Sequence, residues 1–236
     1  GLHQKLDYIE ELGVTSILFL PLDDSIYDHN GFPDDFKKID AEFGAFEDYT
    51  ALVAEIHKRG MKVYMDMEIH FATEHHAWYN DAHENPDSPN NDYLAADGPN
   101  GTESIIFDRT ELRGFDGETT RITTLNMNGD SVRTSLMDLF LYWMDPNGDG
   151  DFYDGVDGYR IAHIMDDLDW KGKSTGLLGD FWKPLVHDLK AINPNVVFIG
   201  EQADWGYGAR FLNQGNLDAI VGFKPREAIV SFDRDR

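Results

Sequence analysis

The sequence predicts an α/β fold built around a parallel sheet, and three observations lead to that prediction. Short apolar runs, in part β-branched, recur along the 236-residue chain, with amphipathic helical patterns before and between them. Continuous apolar runs of this kind are typical of strands that are buried on both faces, as in parallel sheets. Glycine follows several of the helical patterns, at the place where helices commonly end. Repeated β-α units of this kind form parallel sheets.

The predicted elements follow one another along the chain. Leu2, Leu6, Ile9 and Leu12 recur at helical spacing, and Gly13 is a candidate C-terminal cap. Strands are predicted at residues 14–20, 61–66, 156–161, 196–200 and 217–223. Further helices are predicted at residues 46–59, 131–144, 181–191 and 209–214.

Two features depart from this rhythm. A polar stretch at about residues 70–130 is rich in Asn, Asp, Pro and Gly and has no clear helical pattern. A loop of that length inside a compact domain is normally functional or a small domain of its own. About five strands are recognisable, whereas a closed (β/α)₈ barrel has eight and typically about 250 residues. The sheet is therefore either open and doubly wound, or a piece of a barrel.

The composition limits the classes of partner. The formal charge is −24 at pH 7, and cysteine is absent, which excludes disulfides. Such a charge repels phosphate backbones and anionic membrane surfaces, so nucleic acids and membranes are poor partners. The longest apolar stretch, about residues 17–22, is too short to span a bilayer, which takes about 20 residues. A neutral polysaccharide is indifferent to this charge, and divalent cations are attracted by it.

Charged residues lie at the ends of three predicted strands. Asp66 ends one strand, Glu201 directly follows another, and Arg160 lies near the end of the third. Active sites of parallel α/β folds form at the C-terminal ends of the strands. A single acidic residue there is usually the start of a loop, but two acids with an arginine favour a catalytic site. The acid expected at the end of the third strand is Ala162.

Three stretches surround these positions: Lys58-Arg-Gly-Met-Lys-Val-Tyr-Met-Asp66, Gly155-Val-Asp-Gly-Tyr-Arg-Ile-Ala-His163 and Phe198-Ile-Gly-Glu201. In order and spacing they resemble successive signature regions of the α-amylase superfamily of glycoside hydrolases (family 13 type). Asn30-Gly31-Phe32 is similar to the His-Gly-Tyr loop of that family, and residues 40–44 to its Asp-Pro-x-x-Gly turn. The resemblance extends over nearly the whole chain.

The resemblance implies a (β/α)₈ TIM barrel that is incomplete in this chain. Residues 1–70 would contain the region of barrel strands 2–3, and residues 131–236 that of strands 4–6. Residues 71–130 would form a B-domain-like insert after the third strand. The remaining strands are expected outside this chain. Any targeting segment is also expected outside this chain. The expected location is secreted, periplasmic or at the cell surface.

The resemblance also assigns roles to single residues. The nucleophile would stand at position 162, Glu201 would be the acid/base, and Arg160 would orient the nucleophile. Asp66 would be the structural aspartate of the third strand, and Phe32 would stack on the sugar at the cleavage site. Further substrate contacts are expected from the following residues: His163, Trp78, Trp205 and Tyr207. The last three are aromatic residues in predicted loops, and packing explains them equally well.

The chain departs from the family pattern at several positions. The family's Asn-His pair after the third strand is His70-Phe71 here, so neither its usual calcium-binding asparagine nor its sugar-contacting histidine stands at its expected position. The Lys-His pair after the nucleophile is Met165-Asp166. Ala162 is either an engineered substitution, which would trap substrate in an intact site, or the mark of a natural pseudoenzyme. The retention of Arg160 and Glu201 favours engineering.

The function that the resemblance implies is hydrolysis of α-1,4-glucosidic bonds in starch-like glucans or maltooligosaccharides. Such enzymes retain configuration by double displacement, with two carboxyl groups about 5–5.5 Å apart. This chain is expected to be inactive because Ala162 has no carboxylate. A transglycosylase or α-glucosidase on the same scaffold is one alternative. A non-catalytic α-glucan-binding protein is another. The oligomeric state is not indicated.

An acidic loop precedes the third of these strands. Oxygen-bearing side chains alternate along residues 145–154, and Gly150 occupies the sixth position. This pattern begins an EF-hand-type loop, in which hard oxygen ligands surround Ca²⁺ and glycine permits the sharp turn. The glutamate expected at position twelve is Val156. A solvated acidic turn is the alternative, but carboxylates so close together repel one another without a cation. The predicted Ca²⁺ ligands are Asp145, Asn147, Asp149, Asp151 and Asp154.

Overall fold

The structure is a computed structural model. It describes residues 1–26, 30–97, 103–104, 111–114, 117–169, 171–202 and 208–234. In that part of the chain the strands, in chain order, are β1 (Ser16–Phe19), β2 (Asp23–Asp24), β3 (Asp35–Ile39), β4 (Lys62–Met67), β5 (Phe71–Thr73), β6 (Ala96–Asp97), β7 (Glu103–Ser104), β8 (Glu111–Arg113), β9 (Thr119–Thr124), β10 (Gly158–Ile164), β11 (Val197–Gln202) and β12 (Ala219–Ile220).

The helices alternate with the longer strands. A 3₁₀ turn at Leu2–Lys5 leads into the first α-helix, and a π-helical turn at Leu178–Trp182 leads into the fifth. In chain order the helices are α1 (Leu6–Glu11), α2 (Phe46–Lys58), α3 (Ala77–Ala82), α4 (Asp130–Met144), α5 (Lys183–Ile192), α6 (Ala209–Gly215) and α7 (Phe223–Arg234). No helix among the described residues is long and apolar enough to cross a membrane.

A parallel sheet with the strand order β1-β4-β10-β11-β12 forms the centre of the fold. Helix α2 connects β1 to β4, and α5 connects β10 to β11, so the predicted α/β fold with a parallel sheet is confirmed. Each neighbouring pair is parallel, which brings the C-terminal ends of all these strands to one edge of the sheet. This edge is where a ligand site is expected in such folds.

The core lies between the sheet and its helices. Helix α2 buries Tyr49, Val53 and Ile56, which recur at helical spacing and so share one face of the helix. Helix α4 buries an apolar face that includes Trp143, whose indole nitrogen donates a hydrogen bond of 3.1 Å to the carbonyl oxygen of Phe36. A buried indole N–H needs such a partner, and this bond ties α4 to β3.

Gly155 shows how tightly the end of α4 packs against the chain that leads into β10. A Cβ atom at this position would lie 2.8 Å from the carbonyl oxygen of Trp143 and closer still to that of Met144. Both obstacles are backbone atoms, so neither can rotate away. At Gly179 an added Cβ would meet nothing within 4 Å.

We therefore expect Gly155→Ala to lower the free energy of unfolding. Overpacking typically costs about 1–3 kcal/mol, and the loss here should be at least that large. Gly179→Ala is the matched control, and it should leave the free energy of unfolding unchanged or slightly higher. Urea denaturation of both variants in the complete protein measures the difference. Equal midpoints for the two variants would contradict the packing at Gly155.

Several predicted boundaries change in the structure. The strand predicted at residues 217–223 is the two-residue strand β12, because helix α7 already begins at Phe223. The polar stretch at residues 70–130 was predicted without a helix, but it contains α3 and the antiparallel sheet β5-β9-β8. The pair β2-β3 was not predicted either, because these strands are rich in Asp and Lys. The boundaries of the B-domain-like insert stay a prediction.

Candidate active site

Asp66, Arg160 and Glu201 lie on three adjacent strands, β4, β10 and β11. In the sheet, Arg160 is paired directly with Asp66 on one side and with Ile199 on the other. Alternate residues of a strand point to the same face, so Glu201 shares its face with Ile199. The register therefore brings the three charged side chains together at one edge of the sheet, as their sequence positions predicted.

The guanidinium of Arg160 joins the two carboxylates. Its Nη1 donates to both oxygens of Asp66, at 2.8 and 2.7 Å, and its Nη2 lies 2.5 Å from Oε1 of Glu201. Only 6% of the Asp66 side chain and about a fifth of the other two are exposed. Burial raises the pKa of Asp66 above its ordinary value, although Arg160 opposes that shift. Arg160 thus fixes the position of both acids.

Ala162 is buried within β10, at the point where the pairing with β11 becomes irregular. The register shifts between Ile161 and Ile164, and His163 has a φ of 50°. Positive φ is uncommon for a residue other than glycine and marks a local distortion of the strand. Because alanine has no carboxylate, the charged groups that Arg160 pairs with are Asp66 and Glu201.

A second cluster, the Glu68 cluster, lies beside this triad and consists of Glu68, His70 and His163. Glu68 is buried and accepts hydrogen bonds from Nδ1 of His163, from Nδ1 of His70 at 2.9 Å and from the His70 backbone at 3.1 Å. Burial raises the pKa of Glu68, but the bonds from the two imidazoles outweigh it and hold the pKa at about 2. Glu68 in turn raises the pKa of His163. Glu68 is therefore a permanent carboxylate, and His163 is its half-exposed partner.

The Glu68 cluster was missed in the sequence, although a signal for it exists. Asp66, Glu68 and His70 follow one another at every second position, the spacing that places strand residues on one face. The strand ends at Met67, yet the alternation continues past it. His163 was expected near the substrate only by resemblance, and the distorted backbone that turns it toward Glu68 has no sequence signal.

Aromatic side chains line one side of the site. Phe32 is half buried, and its ring lies 5.9 Å from that of Phe71, which lies 6.3 Å from the ring of His163. Asn30 holds the preceding loop, because its amide donates to the carbonyl oxygen of Asp23 at 2.6 Å and to Asp40 at 3.1 Å. The Asn30-Gly-Phe loop thus places Phe32 against Phe71, which in turn contacts the His163 ring, and the contact of Phe32 with a sugar stays a prediction.

Trp78 lies in helix α3 and not, as predicted, in a loop. Its ring packs against Phe36, His76 and Tyr93, with centroids 6.0, 4.7 and 4.5 Å away. Trp78, Phe36 and His76 line an open cleft of about 300 Å³ together with residues of α4. Trp78 is half buried by its aromatic neighbours, and its contact with substrate stays a prediction. The predicted contacts Trp205 and Tyr207 lie outside the described residues.

The acidic loop at residues 145–154 folds as a series of tight turns. The side chain of Asp145 accepts from the backbone of Asp149 at 3.2 Å and of Gly150 at 2.9 Å. Asn147 and Asp149 each accept a further backbone bond at 2.8 Å from the residue two positions later. Gly148 and Gly150 have φ values of 71° and 80°, the conformation that the sharp turns require.

The loop has an unpaired oxygen that suits a hard cation, but its side chains are not arranged as a complete metal site. Oδ1 of Asp154 is buried without a hydrogen-bond partner, and burial together with the charges of Asp145 and Asp149 raises the pKa of Asp154. An unpaired oxygen among carboxylates is a suitable ligand for Ca²⁺. However, no three acidic or histidine side chains within the described ranges are grouped so that they could hold a metal ion. Calcium binding would therefore require the loop side chains to turn inward.

The loop is anchored to helix α2 through His57. The imidazole lies 2.5 Å from the carbonyl oxygen of Tyr153 and 2.7 Å from Oδ2 of Asp157, which directly precedes β10. Both partners are hydrogen-bond acceptors, so they favour the form of His57 in which both ring nitrogens carry a proton. Burial lowers its pKa, but these hydrogen bonds outweigh that effect and raise it. The position of the loop is thus coupled to the strand that carries Arg160 and Ala162.

Comparison with known proteins decides the family. The model of the α-amylase catalytic domain matches residues 1–235. The chain belongs to the α-amylase family. The fold is accordingly the (β/α)₈ barrel of that family, present here in part, as the resemblance implied. That position 162 is the nucleophile position of the family stays a prediction from the resemblance.

The relatives of this α-amylase family chain are named for different activities. The chain is 34% identical over 178 residues to an oligo-1,6-glucosidase of Bacillus sp. (strain F5), covering 70% of this chain and 33% of the relative. It is 33% identical over 182 residues to a glucan 1,6-alpha-glucosidase of Streptococcus pneumoniae, covering 73% and 32%. The alpha-amylase structure from H. orenii has a TM-score of 0.78 at 25% identity, covering 98% of this chain and 48% of that one. The chain thus spans about a third of the length of these curated relatives.

Proposed function

We propose that the complete protein binds α-glucans at the edge of the sheet where Asp66, Arg160 and Glu201 meet, on a scaffold built to hydrolyse α-1,4-glucosidic bonds with retention. The carrying observation is that Arg160 bonds both carboxylates in a chain of the α-amylase family. Glycoside hydrolysis uses two carboxyl groups that flank the glycosidic bond, and Glu201, held by Arg160, would be one of them.

Of the two catalytic groups that a double displacement needs, the chain has a candidate acid/base but no nucleophile. Glu201 would protonate the glycosidic oxygen, and Arg160 would hold its carboxyl group in place through the 2.5 Å contact. Phe32 offers an aromatic face for the sugar ring. Position 162 supplies no nucleophile, so a covalent glycosyl-enzyme intermediate cannot form. In its present form the protein would therefore bind glucan without cleaving it by the retaining route.

A second candidate is action on α-1,6 bonds. The names of two relatives at 33–34% identity specify 1,6-linked substrates, which favours this linkage for the chain. The same scaffold would serve both linkages. The acid and the nucleophile act on C1 and on the glycosidic oxygen, whether that oxygen belongs to C4 or to C6 of the next sugar. Transglycosylation and simple glucan binding remain the alternatives to hydrolysis.

Calorimetric titration of the complete protein with maltotriose and isomaltotriose tests this proposal and separates the two linkages. We expect binding of one or both sugars, and no binding of the β-linked control cellotriose. A preference for maltotriose supports the 1,4 assignment, and a preference for isomaltotriose supports the 1,6 assignment. Equal or absent binding of all three trisaccharides would overturn α-glucan recognition.

We further propose that Ca²⁺ binds the loop of residues 145–154 and braces β10. A ligand that binds only the native state stabilises it by about 2.7 kcal/mol at a hundredfold excess over Kd. Chelator should therefore lower the melting temperature of the complete protein, and Asp149→Ala should abolish that sensitivity. Asp188→Ala, at an exposed position of α5, is the control and should melt like the parent protein with and without chelator. A parent protein whose melting ignores chelator would show that the loop is only a turn.

A further inference from the structure

We propose that His163, held by Glu68, is a general base that replaces the missing nucleophile, so that a water molecule beside Ala162 attacks the glucan directly and the product is inverted. This rests on the proposed function, because it requires a glucan bound at the same site. It adds a reaction route that differs from double displacement in stereochemistry.

The first support is the geometry of the imidazole. Its Nδ1 donates to the buried carboxylate of Glu68, which fixes the tautomer of the neutral ring. In that tautomer Nε2 accepts a proton, and within the described part of the chain Nε2 has no hydrogen-bond partner. A carboxylate that orients an imidazole in this way is the arrangement by which histidine acts as a base elsewhere.

The second support is the position of the ring. His163 directly follows Ala162, its side chain is 53% exposed, and its ring lies against Phe71 beside Phe32. Arg160 and Glu201 lie close enough to act on its charge. The half-exposed imidazole thus lies at the edge of the sheet where the glucan is proposed to bind.

The third support is the size of the side chain at position 162. Alanine is smaller than aspartate by one carboxylate group, and a water molecule takes about 30 Å³ in the liquid. Inverting glycosidases place such a water between the base and the sugar, on the face opposite the leaving oxygen. An aspartate at position 162 would attack that same face, so a water in its place approaches C1 from the same side.

The step balances without any further reactant. The water oxygen forms a bond to C1 while the bond from C1 to the glycosidic oxygen breaks. Nε2 of His163 takes one proton from the water, and Glu201 gives its proton to the leaving oxygen. Solvent then returns both groups to their starting protonation states.

The pH dependence follows from the groups around His163. Glu68 and His70 lie in the segment that follows β4, Arg160 lies on β10 and Glu201 lies on β11. The base must be neutral, so the rate should rise with pH through the pKa of His163. Glu68→Gln removes the charge that raises this pKa, and the rising limb should move to lower pH. A purely structural role of Glu68 would change the rate without moving the limb.

The experiment follows cleavage of 4-nitrophenyl α-glucoside by the complete protein with ¹H NMR. The enzyme concentration is set high enough that cleavage outruns mutarotation. We expect β-glucose as the first product, and a loss of about 100-fold in kcat for His163→Gln, in the range for general bases. His187→Gln, at an exposed histidine of α5 that pairs with its neighbouring aspartate, is the control and should cleave like the parent.

The outcomes separate this inference from the proposed function. First-formed α-glucose, or an unchanged rate in His163→Gln, overturns it. Absence of cleavage in the parent, together with retaining cleavage by Ala162→Asp, also overturns it and leaves the proposed function standing. If Ala162→Asp is inactive and no α-glucan binds, the proposed function fails, and the inference fails with it.

Discussion

Ala162→Asp in the complete protein should restore hydrolysis of an α-glucan with retention of configuration. The neighbours that would orient a carboxylate at this position are in place, since Arg160 already bonds Asp66 and Glu201. Removing a catalytic group of this kind costs several orders of magnitude in kcat in other enzymes, so we expect a gain of at least about 1,000-fold. The rate is measured with maltotriose and isomaltotriose, and the anomer of the first product by ¹H NMR.

The control for this prediction is the double variant Ala162→Asp/Glu201→Gln. It should lose the restored activity mostly through kcat, because protonation of the leaving oxygen matters in the transition state. If Ala162→Asp stays inactive on every α-glucan while binding persists, the protein is a glucan-binding protein and not an inactivated enzyme.

Arg160→Met should have the largest effect on stability among the site residues. It leaves two carboxylates without their cation, and one of them, Asp66, is buried. Breaking a buried ion pair from one side costs about 3–5 kcal/mol. Arg133→Met is the matched control, because Arg133 forms an exposed pair with Asp130 at 3.7 Å, and such pairs contribute less than about 1 kcal/mol.

This loss should depend on pH, with a sign set by Asp66. Burial raises the pKa of Asp66 even with Arg160 present, so without the arginine the folded protein binds a proton there more readily still. When folding raises the pKa of a carboxyl group, the folded protein becomes less stable as the pH rises towards the folded-state pKa. Urea denaturation should therefore show a larger deficit of Arg160→Met at pH 8 than at pH 5. A deficit below about 1 kcal/mol at both pH values would contradict a buried ion pair.

The sequence predicted the triad because its residues lie on regular strands. Asp66, Arg160 and Glu201 occupy the ends of apolar runs, and parallel strands bring such ends to one edge whatever the connections between them. The same holds for helix α4, predicted at residues 131–144 and found at Asp130–Met144. Burial patterns of this kind follow from local periodicity alone.

Other features depend on contacts that local patterns do not record. His163 reaches Glu68 only because β10 is distorted after Ile161, and nothing in the residues predicts a positive φ there. The apolar run at residues 217–223 suits a strand, but Phe223 begins a helix instead. Trp78 was placed in a loop because the polar residues around α3 hide its short helical pattern.

The most direct test of the central claim is a crystal structure of the complete protein, with Ala162, bound to maltotriose or isomaltotriose. A glucose ring should stack on Phe32, with its glycosidic oxygen at the carboxyl group of Glu201 and the opposite face of C1 toward Ala162. A trisaccharide found only elsewhere, for example in the cleft beside Trp78, with the Arg160 triad free of sugar, would contradict the assignment of this edge of the sheet as the glucan site.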